Sequence, residues 1–199
     1  IGAAQFVWHQ VLGNERITWK DNKTPYLGKT YSEIEIIDVL EEEDINKKVT
    51  YSKISDDFVI DLLEKQKIIS VFGGGSESGR RALGNRSIIA DPRSEDMKEL
   101  INEKVKHRQW YRPFAPSMLR EEVSEWFERD DDSPYMNIVL RFKKEKISSV
   151  PAVAHKDGTA RVQTVTENDN KWYYNFISKW HERSGVPIIL NTSFNDREP

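Results

Sequence analysis

The chain has 199 residues and a mass of 23.2 kDa, enough to bury one respectable core, and 37% hydrophobic residues exclude a disordered chain. The 32% of charged residues and a mean hydropathy of −0.70 imply a wet exterior, while a net charge of −3 argues against a general nucleic-acid binder. Cysteine is absent, which excludes disulfides, thiolate nucleophiles and Cys-based zinc sites and favours a reducing compartment.

In chain order, Phe6, Val7 and Leu12 predict a helix over Ile1 to Leu12 that stops at Gly13-Asn14. Asn22 to Gly28, with Pro25, reads as a linker. Ser32 caps a second helix running to about Glu43, and Ser55 caps a third with Phe58, Val59, Leu62 and Leu63 as its apolar stripe. From Glu33 to Asp44 there are seven acids and no base, the pattern of a solvated helix face. Ile68 to Phe72 is a β-branched run that ends in Gly73-Gly74-Gly75, a strand feeding a loop. Ser94 opens a helix with Met97, Leu100, Ile101 and Val105 on one face. Met136 to Phe142, Val150 to Ala154 and Ala160 to Val165 read as strands. A last helix carries Trp172, Phe176, Ile177 and Trp180 and ends at Gly185; Val186 to Leu190 then reads as a strand whose Pro187 favours its edge or its start. Strands mixed with helices predict an α/β or α+β fold, a mixed sheet with flanking helices.

Four polar blocks stand at the ends of these elements: Gly79 to Ser87, Lys106 to Pro116, His155 to Arg161, and Asn191 to Asn195. The triple glycine matches neither nucleotide cradle. Ser78 stands where a dinucleotide fingerprint needs its third glycine, and Arg80-Arg81 replace the Lys and Ser/Thr of a Walker loop. Arg81 and Arg86 sit among small or apolar neighbours, a setting for a guanidinium that grips an anion or one that bonds carbonyls. From Arg80 to Arg112 there are nine Lys and Arg against five acids. Within that stretch Lys106, Arg108 and Arg112 beside Trp110, Tyr111 and Phe114 fit either nucleotide binding or an RNA-gripping surface. His155 at a strand end is a hydrogen-bond donor or a base. Asn191 and Ser193 offer uncharged donors and acceptors suited to a ribose, a base edge or a phosphate, or to satisfying their own turn. No two His have helical metal-ligand spacing, so no tightly bound transition metal is expected.

Taken jointly, Arg81-Ala82-Leu83-Gly84-Asn85-Arg86-Ser87-Ile88, Ala90-Asp91-Pro92-Arg93, Arg112-Pro113-Phe114-Ala115-Pro116, Asp157 to Gln163 and Asn191-Thr192-Ser193-Phe194-Asn195 resemble the C-terminal part of NodU/CmcH-type O-carbamoyltransferases. The resemblance implies a YrdC-like domain over residues 25–199, with residues 1–24 as the tail of a sugar-kinase-like N-terminal domain and a linker, in a piece of a longer protein. It implies that ATP, as its Mg2+ complex, and carbamoyl phosphate yield carbamoyl adenylate for transfer to an acceptor hydroxyl by the N-terminal domain. Arg81, Lys106, Arg112 and Arg161 would then act on the reacting groups, and Asn85, Arg86, His155, Thr159, Asn191 and Ser193 would bind substrate or nucleotide. The pattern is altered at Gly75 and Arg80, which stand where the family usually has Arg and Pro, and at Gln109, where Glu is common. The expected partners are ATP, carbamoyl phosphate and that N-terminal domain. A cytoplasmic protein is expected, without membrane or nucleic-acid partners. An RNA-binding module, or a scaffold whose altered glycine loop no longer catalyses, are the alternatives.

Overall fold

A computed structural model describes residues 2–15, 25–42, 45 and 47–195. Ile1, Asn22 to Thr24 of the expected linker, the boundary at residue 24, and Glu43 lie outside the described residues.

Helix α1 (Gly2–Phe6) continues as a π-helical turn, Val7–Val11, and the chain leaves it through Gly13 at φ 67°. Helix α2 (Glu33–Glu41) opens with a reciprocal cap: Ser32 Oγ accepts from the Glu35 amide, and the Glu35 carboxylate accepts from the Ser32 amide. Helix α3 (Asp56–Glu64) is capped by Ser55, whose Oγ accepts from the Phe58 amide. Its buried face is Ile60 and Leu63, with Phe58 left 49% exposed, so the predicted stripe is rotated around the helix.

The main sheet contains β1 (Ile69–Phe72), β2 (Arg86–Ala90), β3 (Ala115–Leu119), β6 (Gln163–Val165) and β7 (Ile188–Ser193), in the order β1-β2-β7-β3-β6. Only the β3–β6 pair is parallel. A second, two-stranded sheet joins β4 (Leu140–Arg141) to β5 (Thr159–Ala160). Among the described residues the further α-helices are α4 (Asp96–Lys104), α5 (Val123–Trp126) and α6 (Lys171–Ser184). Alternation along the strands feeds two cores. Ile89, Leu119, Val165 and Ile189 meet α3 and α6 on one face, while Ala90, Met118, Ile188 and Leu190 meet α4 and α5 on the other. The mixed sheet with flanking helices is the α/β architecture the sequence predicts.

Several expectations are corrected. Residues 150–154 form turns closed by Val150 N–H to Ile147 O and Val153 N–H to Val150 O, and the strand expected from Met136 shrinks to β4, with Met136 itself at φ 53°. Val150, Ala152 and Val153 are buried all the same, so their apolar run signals the core and not sheet pairing. Strands β2 and β3, which the sequence reading did not expect, begin inside the Gly79 to Ser87 and Lys106 to Pro116 blocks and run on beyond them. Pro187 stands at the entry to β7, one of the two places expected for it, while β7 itself is the middle strand of the main sheet. In α6 the inward residue is Tyr173, while Trp172 is 41% exposed.

Two buried polar devices join the elements. Asp91, fully buried after β2, accepts from the Arg93 side chain and backbone and from Gln66 Nε2, and the Arg93 guanidinium lies 4.9 Å from the Trp180 ring. Gly84, at φ 116°, lies so close to the Tyr173 ring that an added Cβ would come within 2.5 Å of it. Gly84→Ala is therefore expected to lower unfolding stability by about 2 kcal/mol or more, measured by urea denaturation. A change within a few tenths of a kcal/mol would contradict the packing described.

Candidate functional site

The site begins with the turn that carries Arg80 and Arg81. Its backbone is held from three sides. Glu77 Oε1 accepts from the amides of Leu83, Asn85 and Arg86, the Gly84 amide donates to Ser87 Oγ, and Tyr26 Oη donates to Leu83 O at 2.8 Å. From the sheet, Asn191 Nδ2 donates to Ala82 O and Gln163 Nε2 to Leu83 O. Burial pushes the Tyr26 phenol up to about 12, so it stays a neutral donor.

A second wall is the loop after α4. Asn102, fully buried, donates through Nδ2 to the carbonyls of Trp110 and Arg112 and accepts at Oδ1 from Arg108 Nε at 2.7 Å. The Arg108 guanidinium also stacks 5.0 Å from the Phe114 ring centre. One uncharged side chain thus sets the position of Arg108 and the backbone of Arg112. The third wall is the β5 region, where the Asp157-Gly158 turn, with Gly158 at φ 78°, brings His155 and Arg161 inward.

Between these walls lies a cavity of about 320 Å3 whose lining includes Arg80, Arg81, Arg108, Arg112, Arg161 and His155, closed at its base by Asn191, Thr192 and Ser193 of β7. Its volume falls within the ordinary range for small-molecule sites. Among the described residues no carboxylate lines it. Burial and the neighbouring charges of Arg81 and Arg80 hold the Arg161 guanidinium below its usual range, and its buried Nε has no hydrogen-bond partner. Like charges gathered in partial burial without a carboxylate stabilise an incoming anion.

Of the sequence-predicted residues, the structure brings Arg81, Arg112, His155, Arg161, Asn191 and Ser193 around this cavity. Four stand outside its lining, each bonded within the protein. Lys106 Nζ donates to Ser193 O and Oγ and to Asn195 O and Oδ1, which anchors the end of β7. Asn85 bridges Gly75 O and Asn170 Nδ2. Arg86 donates to Gly73 O, Gly74 O and Asn85 O and covers the Phe72 ring, so it fixes the glycine loop. Thr159 Oγ1 donates to Asp157 and contacts the His155 ring. Arg80 and Arg108 are cavity residues absent from the predicted set, although both fall inside the polar blocks. Glu77 and Gln163 belong to the pattern that carries the resemblance, but their support of the Arg81 turn was not read from it, and Asn102 stood on the polar side of a helix with no signal of its bonds to the Trp110 and Arg112 carbonyls.

The sequence profile described as Carbamoyltransferase C-terminus matches residues 60–199. The chain belongs to this family. This carbamoyltransferase domain is 51% identical over 132 residues to the nodulation protein NolNO of Sinorhizobium fredii, covering 65% of this chain and 19% of that protein. It is 48% identical over 139 residues to the nodulation protein NolO of Bradyrhizobium diazoefficiens, covering 68% and 25%. An uncharacterized protein of Methanocaldococcus jannaschii matches 98% of the chain at 42% identity over 199 residues, which is 33% of that protein. The chain thus spans a third or less of the length of these relatives. The resemblance to NodU-type carbamoyltransferases drawn from the four blocks is borne out. Among the described residues no helix is long and apolar enough to cross a membrane.

The His155 imidazole is held below its ordinary value of 6.5, first by burial and then by Arg161 and Lys98, against the opposing pull of Asp157. A base with a depressed folded pKa binds fewer protons folded than unfolded, so its contribution to stability is complete above 6.5 and is lost as pH falls through 6.5 toward the folded value. Unfolding stability measured between pH 7.5 and pH 5 should therefore decline on the acid side, and His155→Gln should remove part of that decline. An unchanged pH profile in the variant would contradict the assignment.

Proposed function

We propose that the cavity is the site where a NodU-type carbamoyltransferase binds ATP and carbamoyl phosphate and forms carbamoyl adenylate, the carbamoyl group then passing to an acceptor hydroxyl. The observation that carries this reading is the group of arginines around one cavity in a protein whose family is carbamoyltransferase. Atom balance fixes the remaining products. Carbamoyl adenylate keeps a single phosphorus, so pyrophosphate and orthophosphate leave and one water is consumed. In the bond-forming step a carbamate oxygen attacks the α-phosphorus and the α–β bridging oxygen departs with pyrophosphate. Negative charge grows on the phosphoryl oxygens, and guanidinium groups already in place stabilise it without reorganising.

Arg161 carries the largest share in this reading, because its buried Nε lacks a partner and two further arginines weaken its hold on its own proton. Arg81 and Arg112 line the same cavity, and Lys106 and Arg86 contribute by fixing β7 and the glycine loop. Among the described residues no group of three or more His, Asp or Glu is arranged to hold a metal ion. Magnesium would therefore arrive on the triphosphate and be held chiefly by its oxygens. Delivery to the acceptor, and the choice of acceptor, belong in this reading to the part of the relatives that this chain does not span.

The test is exchange of labelled pyrophosphate into ATP by the full-length protein. Exchange should depend on carbamoyl phosphate and fall at least about 100-fold in Arg161→Ala. Exchange that ignores carbamoyl phosphate, or that survives the substitution, would count against the reading. A second reading rests on Trp110 and Tyr111, which are 63% and 62% exposed beside Arg108 and Arg112 and suit a stacking surface for single-stranded RNA. It requires RNA affinity that drops steeply with salt and is indifferent to ATP.

A further inference from the structure

The strap Pro25-Tyr26-Leu27-Gly28 has no regular secondary structure, yet it is bonded to the cavity wall at two levels. The first is its backbone, which runs against the glycine loop: the Gly28 amide donates to Ser76 O at 3.0 Å, and the Ser78 amide donates to Pro25 O at 2.7 Å. Strap and loop meet backbone to backbone, because a Cβ added at Gly75 would lie 2.7 Å from Tyr26 O and 2.8 Å from Gly28 O. Only glycine permits that approach. Between Ser76 and Ser78 stands Glu77, whose Oε1 collects the amides of Leu83, Asn85 and Arg86. The strap therefore bears on the Arg81 turn through the loop residue that gathers it.

The second level is a side chain. Tyr26 Oη donates to Leu83 O at 2.8 Å across 57 positions of sequence, and its ring packs on the cluster of Leu83, Ala115 and Met136. Leu83 O has another donor in Gln163 Nε2 at 2.9 Å, so one carbonyl is held jointly by the sheet and by the strap. Leu83 directly follows Arg80, Arg81 and Ala82, all three of which line the cavity, whereas Tyr26 stands outside that lining. Arg80 and Arg81 repel Arg161, and this repulsion works to open the turn that bears them. A turn under such a load needs its carbonyls held.

We infer that Tyr26 is a positioning residue, which through Leu83 O fixes the turn of Arg80 and Arg81, so that a strap far upstream in sequence helps to set the geometry of the cavity. This rests on the carbamoyl phosphate reading given above for what the turn acts on, but not for how the turn is held.

Tyr26→Phe removes the donor and keeps the ring, and two measurements on the full-length protein test its effect. Deuterium uptake at the amides of Leu83, Asn85 and Arg86 should quicken at least about threefold, because the carbonyl among them loses one of its two holds. Incorporation of labelled pyrophosphate into ATP should lose about tenfold in kcat/KM. That loss should persist in an Arg112→Lys background and shrink to within about twofold in an Arg81→Lys background, since the bond acts through one wall and not the other. Unchanged deuterium uptake overturns the inference, as does a kinetic loss of the same size in both backgrounds. A lowered melting temperature with unaltered kinetics overturns it too, by making the bond merely structural. If the unsubstituted protein incorporates no pyrophosphate, the carbamoyl phosphate reading falls, and deuterium uptake alone then decides whether Tyr26 holds the turn.

Discussion

The constraint on which this protein depends is that several guanidinium groups are held near one another with no carboxylate in the cavity they share. Mutual repulsion would spread such groups into solvent if their backbones were free. The fold prevents this with hydrogen bonds to the backbone that put no carboxylate into the lining. Asn102 grips the carbonyls of Trp110 and Arg112, Asn191 and Gln163 grip those of Ala82 and Leu83, and Glu77 collects three amides of the intervening turn. Glu77 does this through its side-chain carboxylate, which stays outside the cavity lining. Supporting a cationic site with amide side chains leaves its charge undiminished, whereas a supporting carboxylate in the lining would neutralise part of it.

The same economy explains residues whose types invite a functional reading. Arg86 and Lys106 are basic and lie within the polar blocks, yet their nitrogens are directed at carbonyls of the glycine loop and of the end of β7. Cations there satisfy carbonyl groups that the sheet does not pair. Their charge still adds to the local positive potential, so their effect on an anion is felt through the medium and through the geometry of neighbours.

Legibility in the sequence follows the range of the interaction. Helix starts at Ser32 and Ser55, the Gly13 and Gly185 stops and the run into β1 are written in adjacent residues and can be read directly. Strand β3 is hidden because Pro116 argues against an interior strand; the structure accommodates it by starting the β6 pairing at Ser117, one residue later. Strand β2 is hidden behind Arg86, Ser87 and the motif that precedes them. In α3 the apolar face is turned so that Ile60 is buried and Phe58 exposed, while in α6 Phe176, Ile177 and Trp180 are buried as expected and only Trp172 gives its inward place to Tyr173, because the helices pack on each other as well as on the sheet. For the site, charged and amide residue types marked the lining, but two basic residues are turned away from it by carbonyls the sequence does not announce, Arg86 by those of the neighbouring glycine loop and Lys106 by those of Ser193 and Asn195 nearly ninety positions on.

The position of β7 has a consequence for how the molecule is put together. It follows every other described strand along the chain, yet it alone connects the β1–β2 pair to the β3–β6 pair. During synthesis the two halves emerge with their inner edges unpaired, and the arginines carried by the earlier segments have no common floor. Pairing with this strand joins the halves and places Asn191, Thr192 and Ser193 in the cavity lining. Closure of the sheet and completion of the cavity lining thus rest on the same strand, and a chain short of it carries the charges of the site without their shared geometry.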